Sequence, residues 1–305
     1  MSPSNVPKSG FVTVHGVRLQ TLDWGGKGPV LVFLAGYANT PHFFDSIARA
    51  FVDRFRVLGL TRRAHGDSDQ PETGYDVPTL ASDIAGFLDA FDLESASFAG
   101  HSFAGHEMCC LASDHAPRVE KLVFFDTLND YTAEDLQLLA ENPSPSVDPP
   151  PETHDSVAAY CDDFVARYPA YRPLRSPWWD ELWALSLERT PEGRFRERIR
   201  PETAKRLFEG RSAYRPDYAA IRRPALAFFA FQDERWFLPE DASDGLRRAM
   251  AEHLERVNAQ IKRRCIDRIR REIADVRVVE LADTSHYCFL DREREVVEEM
   301  NQFLC

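Results

Sequence analysis

Cysteine is scarce in this chain, and its positions exclude two kinds of stabilising chemistry. The 305 residues include six cysteines, and none of them form a Cys-x-x-Cys pair. Their spacing predicts neither a zinc site nor a disulfide framework. Reduced thiols in a cytoplasmic protein are therefore the simpler expectation. The six are Cys109, Cys110, Cys161, Cys265, Cys288 and Cys305.

Long apolar runs and an excess of positive charge are also lacking. No apolar run is long enough to cross a bilayer, and residues 1–10 lack the apolar stretch of a signal peptide. A secreted protein from which a signal had been removed would look the same. Lys and Arg number 37 against 49 Asp and Glu, which gives a formal net charge of -12. This balance argues against nucleic acids and anionic membranes as main partners, because phosphate binding needs a basic surface.

What the chain does contain is a series of short apolar runs separated by helical patterns. Runs of this length are typical of strands buried on both faces of a parallel sheet. Residues 77–93 carry an apolar helical face, with Thr79 as the expected cap, and the start of the chain predicts a hairpin around His15 and Gly16. Strands alternating with helices predict an α/β fold. The runs cover residues 29–36, 55–60, 96–100, 121–126, 224–231 and 275–282.

The alternation is interrupted once, between Asp126 and Pro224. Almost a hundred residues there show no strand-like run, and they contain the proline-rich stretch 141–152. The later part is rich in Trp and Tyr, which argues against a disordered linker. We therefore predict that residues 128–220 form a helical cap, called the cap segment below, inserted into a core made of residues 1–127 and 221–305.

A long amphipathic helix is predicted over residues 242–273. Apolar side chains recur every three or four positions from Leu246 to Ile273, and the opposite face is rich in Arg and Lys. The basic face is expected to be solvated. The apolar stripe is expected to pack on the core, and a homodimer contact through this helix is the sharper alternative.

Ser102 is the candidate nucleophile. It lies in the segment FAGHSFAGHEM, between a predicted strand and a predicted helix, with Gly100 and Ala104 two positions before and after it. Small residues at these places let a strained turn close and expose the hydroxyl at the carboxyl end of the sheet. A serine also needs a base. His286 is the candidate, because it lies in a loop between the last predicted strand and the terminal helix.

Other residues complete the predicted site. Asp233 and Asp126 both end predicted strands and could orient the histidine; Asp233 is preferred and Asp126 is the alternative. The N–H of Phe103, directly after the serine, and that of Tyr37, in the loop after residues 29–36, are the expected oxyanion donors. His65 is expected to line the site entrance, and His101 and His106 are expected to be incidental.

Several segments taken together resemble the α/β-hydrolase fold superfamily over nearly the whole chain. They are LAGYANTPHFFD, LGLTRRAHGDSDQP, GHSFAG, PALAFFAFQD and SHYCFLD. The resemblance implies an eight-stranded, mostly parallel sheet flanked by helices, with a helical cap inserted after strand six. It also implies the order serine, acid, histidine, which Ser102, Asp233 and His286 satisfy.

Three departures from the family pattern bear on the site. Ala35 stands before Gly36 where the family usually has histidine, which questions the support of the oxyanion loop. The loop after the fourth strand begins with Thr61 instead of aspartate. Ala230 replaces a glycine of the seventh strand, which weakens Asp233. Some members carry the acid after strand six, and this keeps Asp126 open.

The predicted activity is the hydrolysis of carboxylic esters through an acyl-enzyme, without a metal or organic cofactor. Small to medium apolar or aromatic acyl groups are the expected substrates, because aromatic side chains are expected to line the pocket. Lactone, amide or C–C bond hydrolysis and cofactor-free perhydrolysis use the same residues. A non-catalytic ligand-binding relative is the alternative of another class. The expected aromatic pocket residues are Trp178, Trp179, Trp183 and Phe103.

Overall fold

The structure is a computed structural model that describes residues 6–128, 131–144 and 150–305. Within these ranges the chain forms two sheets, one of eight strands and one of two. The strands are β1 (Lys8–Val14), β2 (Val17–Gly25), β3 (Val30–Leu34), β4 (Arg56–Leu60), β5 (Ala96–His101), β6 (Val119–Phe125), β7 (Leu187–Arg189), β8 (Phe195–Glu197), β9 (Ala225–Phe231) and β10 (Val276–Ala282).

The large sheet has the order β1-β2-β4-β3-β5-β6-β9-β10. β2 pairs antiparallel with both β1 and β4, and the other neighbouring strands are parallel. The predicted eight-stranded, mostly parallel sheet is confirmed. Because β3, β4, β5, β6, β9 and β10 run the same way, the loops that follow them meet at one edge of the sheet.

Helices cover both faces of this sheet. Successive residues of the central strands point to opposite faces: Leu31 and Phe33 lie in one apolar core, and Val32 and Leu34 lie in the other. The helices are α1 (Asp45–Arg49), α2 (Val77–Ala90), α3 (Ala104–Asp114), α4 (Ala133–Ala140), α5 (Val157–Arg167), α6 (Pro177–Ala184), α7 (Pro201–Ala213), α8 (Asp244–Val257), α9 (Arg263–Glu272), α10 (Cys288–Asp291) and α11 (Glu293–Leu304).

The predicted cap of α2 needs a correction. The helix begins after Asp76, whose side chain accepts the Thr79 N–H at 2.9 Å. Asp76 is therefore the N-cap, and Thr79 is the residue that donates to it.

The chain between β6 and β9 contains α4 to α7, and also the short hairpin of β7 and β8. The hairpin was not predicted, because three-residue strands are too short to show an alternating pattern. The boundaries proposed for the cap segment remain a prediction.

The long helix follows β9 as α8 and α9, joined by a π-helical turn over Asn258–Lys262. Its apolar stripe faces the rest of the chain: Met250, Ile261 and Ile269 are at most 1% exposed. This agrees with packing on the core, and a homodimer through the helix stays a prediction. Of the helices described, none is both long and apolar enough to cross a membrane.

Candidate active site

Ser102 occupies the turn between β5 and α3. Its backbone has a φ of 52°, a left-handed conformation that costs a residue other than glycine about 1–2 kcal/mol and that is enriched at functional sites. The Ser102 N–H donates to the Phe125 carbonyl at 3.2 Å, and the residue lines a cavity of about 350 Å³. The chain therefore has the strained strand-to-helix turn that its sequence pattern predicts.

Small residues around Ser102 are required by close packing. A Cβ atom on Gly100 would lie 2.2 Å from Met108 Sδ, and one on Gly105 would lie 2.1 Å from Thr127 Oγ1. Thr127 Oγ1 in turn donates to the Ser102 carbonyl at 2.5 Å. Gly105 thus leaves room for the threonine that holds the turn.

His286 lies in the loop between β10 and α10 and lines the same cavity as Ser102. Its Nδ1 is 2.6 Å from Asp126 Oδ2. Because a carboxylate can only accept, we assign the proton to Nδ1, and Nε2 is then the basic nitrogen. Ser102 and His286 line the same cavity. In this part of the described structure, no hydrogen bond joins Ser102 Oγ to His286 Nε2.

Asp126 directly follows β6 and is 7% exposed. Burial raises the pKa of its carboxyl group, but the nearby Lys262 cation and the hydrogen bonds from His286 and the Ala230 N–H outweigh burial and lower the pKa to about 2. The Lys262 ammonium itself donates to the Ala230 carbonyl. The Asp126 carboxylate is therefore charged at neutral pH and can stabilise an imidazolium.

Asp233, the preferred acid, has other partners. Its side chain accepts the Arg235 N–H at 3.0 Å, at the start of a short 3-10 turn, and it forms an ion pair with the Arg235 guanidinium. The structure therefore replaces Asp233 with the alternative, Asp126, as the residue bonded to His286.

Strand register explains the displacement of Asp233. Phe125, the last residue of β6, pairs with Phe228, whereas β9 continues to Phe231. At about 3.3 Å per residue, this overhang places the end of β9 about 10 Å beyond the end of β6. Asp126 can reach His286 because it follows the shorter strand.

His101, which precedes the serine, supports the loop of the candidate base. Its Nε2 donates to the His286 carbonyl at 2.9 Å, and the two ring centroids are 4.3 Å apart. Burial lowers the pKa of His101 well below its ordinary value, so the ring is a neutral donor. Sequence reasoning treated His101 as incidental, and no local pattern distinguished it from an ordinary elbow residue.

Further hydrogen bonds fix the same loop. The Asp291 carboxylate accepts the Thr284 hydroxyl at 3.0 Å and the Ser285 N–H at 2.5 Å. The Tyr287 hydroxyl donates to Asn39 Oδ1 at 3.0 Å, which ties this loop to the loop after β3. Hydrogen bonds therefore fix the residues that directly precede and follow His286.

The predicted oxyanion donors, Tyr37 and Phe103, both line the cavity. Neither backbone N–H has a hydrogen-bond acceptor among the described residues. The preceding Gly36 approaches the elbow closely, since a Cβ atom there would lie 3.2 Å from Ser102 Cβ and 2.8 Å from His101 Nδ1. Both N–H groups are thus available beside the serine.

Arg62 supports the loop that carries Tyr37. Its guanidinium donates to the Ala35 carbonyl at 2.9 Å and to the Gly36 carbonyl at 3.4 Å. It also pairs with Glu107 of α3, and the two side chains are 7% and 3% exposed. This buried pair supplies the support that the departure at Ala35 left in question.

Three of the expected pocket residues, His65, Trp178 and Trp179, lie outside the cavity lining. His65 is 1% exposed and packs edge-on against the Tyr37 ring, away from the cavity lining. Burial and the nearby Arg62 lower its pKa to about 3. Trp179 is fully buried against Phe43.

Among the expected tryptophans, only Trp183 lines the cavity. Trp178 is half-buried and packs on the apolar core instead. Phe103, Phe164 and Phe208 join Trp183 in the lining, and so do charged residues that the sequence did not point to. The charged lining residues are Arg167, Glu197 and Arg211.

Curated relatives align with parts of this chain. A non-heme chloroperoxidase of Streptomyces lividans is 37% identical over 114 residues, which are 36% of this chain and 41% of that protein. A 2-(acetamidomethylene)succinate hydrolase of Mesorhizobium japonicum is 32% identical over 101 residues, 33% of this chain and 36% of that protein. The chain thus spans about two fifths of the length of the curated relatives it matches.

Solved structures share the complete fold. The crystal structure of an E-2-(acetamidomethylene)succinate hydrolase superposes with a TM-score of 0.71 at 20% identity, covering 98% of this chain and 99% of that one. Residues 29–234 match the sequence profile of the family described as alpha/beta hydrolase fold. With its sheet order, its strand-to-helix turn at Ser102 and this match, the chain belongs to the α/β-hydrolase fold family.

Proposed function

We propose that this protein is a serine hydrolase that cleaves carboxylic esters, with Ser102 as nucleophile, His286 as general base and Asp126 as the acid that orients the histidine. The observation that carries the proposal is the 2.6 Å hydrogen bond from His286 Nδ1 to the buried Asp126 carboxylate, in a cavity that also contains the strained Ser102. This combination supports a catalytic role over plain ligand binding.

The proposed reaction has two halves. In the first, Nε2 of His286 takes the hydroxyl proton as Ser102 Oγ bonds to the ester carbonyl carbon. The tetrahedral intermediate then expels the alcohol, which takes that proton from the imidazolium. The N–H groups of Tyr37 and Phe103 stabilise the oxyanion. In the second half, His286 takes a proton from a water whose oxygen bonds to the acyl carbon; the C–Oγ bond then breaks, Ser102 Oγ takes the proton back from the imidazolium, and the acid product leaves.

Amide hydrolysis is a second candidate on the same residues. One relative named above is, by its name, a hydrolase of 2-(acetamidomethylene)succinate. Lactone and C–C bond hydrolysis and cofactor-free perhydrolysis remain alternatives with the same nucleophile. A panel of matched esters, amides and lactones would separate them, and we expect the highest kcat/KM for esters of small or medium acyl groups.

Covalent labelling of Ser102 tests the proposal. A fluorophosphonate probe should label the folded protein within minutes, and Ser102→Ala should abolish the label. Ser113→Ala is the matched control, because Ser113 lies at the surface end of α3, where its hydroxyl donates to Asp114. Absence of label on folded wild-type protein, or equal labelling of Ser102→Ala, would leave a non-catalytic binding role.

A further inference from the structure

The cavity that contains Ser102 carries two arginines from the cap segment, and their surroundings differ. Arg167, in the last turn of α5, forms an ion pair with Asp163 one turn earlier. Arg211, near the end of α7, forms no ion pair and no side-chain hydrogen bond within residues 6–128, 131–144 and 150–305. The cavity therefore holds one guanidinium whose charge the described protein does not neutralise.

The neighbours of Arg211 are aromatic. Its guanidinium carbon is 6.0 Å from the centre of the Phe103 ring and 5.9 Å from that of Tyr131. The side chain is half-buried, and burial lowers the pKa of the guanidinium. Ring faces attract a cation weakly and leave its N–H groups without acceptors. A partly dehydrated cation of this kind is stabilised when an anion enters the cavity.

Arg211 also lies close to the candidate nucleophile, because it contacts the residue that follows Ser102. Phe103, the ring that it faces, contributes one of the two N–H groups next to Ser102. The Arg62 guanidinium carbon is 4.9 Å from the centre of the same ring, but Arg62 forms an ion pair with Glu107. Arg211 is thus the cation left to act on a molecule bound at the serine.

The carboxylate of the cavity, Glu197, does not serve Arg211. It accepts the Tyr160 hydroxyl at 2.8 Å, and its charge contributes to a raised pKa of Tyr37, after burial. The Phe208 ring also lines the cavity, and its centroid is 4.8 Å from that of Tyr37 and 6.3 Å from that of Phe103. Within the described residues, no ion pair joins Glu197 to Arg211.

We infer that Arg211 binds a carboxylate group of the substrate, so that the preferred esters carry a free carboxylate on a short spacer from the scissile bond. A guanidinium presents paired N–H donors that match a carboxylate in its plane, and a single unpaired positive charge matches a monoanion. The inference rests on the proposed function for the reaction, and it adds the charge of the substrate.

Matched substrates test the inference. The p-nitrophenyl esters of succinic, glutaric and adipic acid are each compared with the same ester whose free carboxylate is capped by a methyl group. 4-Acetoxybenzoate and its methyl ester test a carboxylate on the alcohol side. We expect at least one free carboxylate to raise kcat/KM by about 10- to 100-fold over its capped partner, the range expected of a charge-assisted hydrogen bond.

Variants of α7 assign the effect. Arg211→Met should remove the preference by lowering kcat/KM for the free carboxylates to the value for their capped partners, and Arg211→Lys should keep part of the preference. Arg206→Met, on the same helix at an exposed position, should change neither value. No preference for a free carboxylate in any pair, or an equal loss for both members in Arg211→Met, overturns the inference.

A binding measurement separates this inference from the proposed reaction. By calorimetry, wild-type protein should bind benzoate or butyrate and not benzamide or butyramide, and Arg211→Met should lose the difference. That result supports the anion site even if Ser102 is not labelled. If Ser102 is labelled and neutral esters are hydrolysed without this discrimination, the inference fails and the hydrolase proposal stands. Should Arg211→Met not fold, the wild-type comparison of acid with amide decides alone.

Discussion

At the scale of single residues, the candidate site depends on what holds the imidazole of His286. Its Nδ1 is bonded to Asp126, and its backbone carbonyl is bonded to His101. The first contact sets the tautomer and supplies a negative charge, and the second fixes the loop. Asp233 pairs with Arg235 and takes part in neither contact.

We therefore expect substitution of Asp126 to lower kcat strongly and substitution of Asp233 to leave kcat nearly unchanged. Asp126→Asn keeps the shape but removes the charge and favours the wrong tautomer, so we expect kcat for a p-nitrophenyl ester to fall by about 10³-fold or more. Asp233→Asn should stay within about 2-fold of wild type. Circular dichroism would show whether both variants fold. A large loss in Asp233→Asn alone would contradict the assignment to Asp126.

Sequence reasoning reached Ser102 and His286 because each has a local signal. Gly100 and Ala104 mark the turn, and a loop between the last strand and the terminal helix marks the histidine. It preferred Asp233 over Asp126, whereas Asp126 is the residue bonded to His286, because the sequence does not show how far β9 extends past β6. It also missed Arg211, because no pattern within an amphipathic helix tells which cation faces a cavity.

At the scale of elements, the loop after β3 is held by residues from two other parts of the fold. Arg62 follows β4 and Glu107 lies in α3. They form an ion pair in which both side chains are buried. The guanidinium also bonds the carbonyls of Ala35 and Gly36. The pair therefore couples the loop of the proposed oxyanion donor Tyr37 to α3, the helix that follows the candidate nucleophile.

Breaking this pair should be costly. In Glu107→Gln the Arg62 charge stays buried without a counter-charge, and we expect the free energy of unfolding to fall by about 3–5 kcal/mol. The double variant Arg62→Met/Glu107→Met should lose less than Glu107→Gln, because neither charge remains. Urea unfolding of the single and double variants measures both. A loss below about 1 kcal/mol in Glu107→Gln would show that the pair contributes little.

The π-helical turn between α8 and α9 shows what an apolar pattern can reveal about an element. From Val257 to Ile273 buried apolar residues recur at steps of four, and Ile266 is buried in addition to them. In an α-helix each such step turns about 40° beyond a full turn, so a straight helix would rotate the stripe away from the core. The wider turn at Asn258–Lys262 offsets this drift and brings Lys262 near Asp126. The spacing of the apolar residues predicted the helix. The repeated steps of four residues also indicated the π-helical turn, which sequence reasoning overlooked.

At the scale of the whole molecule, His65 and His106 are buried as neutral rings, as His101 is in the candidate site. Burial lowers the pKa of both His65 and His106 to about 3. His65 is held as one tautomer, since its Nδ1 donates to the Arg63 carbonyl at 3.0 Å and its Nε2 faces the Arg62 guanidinium at 3.3 Å. Protonation of the folded chain at these positions is therefore suppressed until the solution is strongly acidic.

The stability of the protein should consequently fall as the pH is lowered from about 6.5 to about 3. The pKa of each ring is lower in the folded chain than the ordinary 6.5, so in this window the unfolded chain binds more protons, and acid favours unfolding. His65 alone should contribute a slope of about 1 kcal/mol per pH unit between pH 6 and pH 4.

Substitution of His65 checks this dependence. His65→Gln cannot take up the proton in either state, so the free energy of unfolding, measured with urea at several pH values, should fall less steeply with acid than in wild type. His15→Gln, which alters an exposed ring, should keep the wild-type slope. The change of the unfolding free energy with pH is informative even if His65→Gln is less stable at every pH. Lost packing lowers this free energy by the same amount at each pH and leaves the slope unchanged. An unchanged slope in His65→Gln would mean that His65 is protonated in the folded protein.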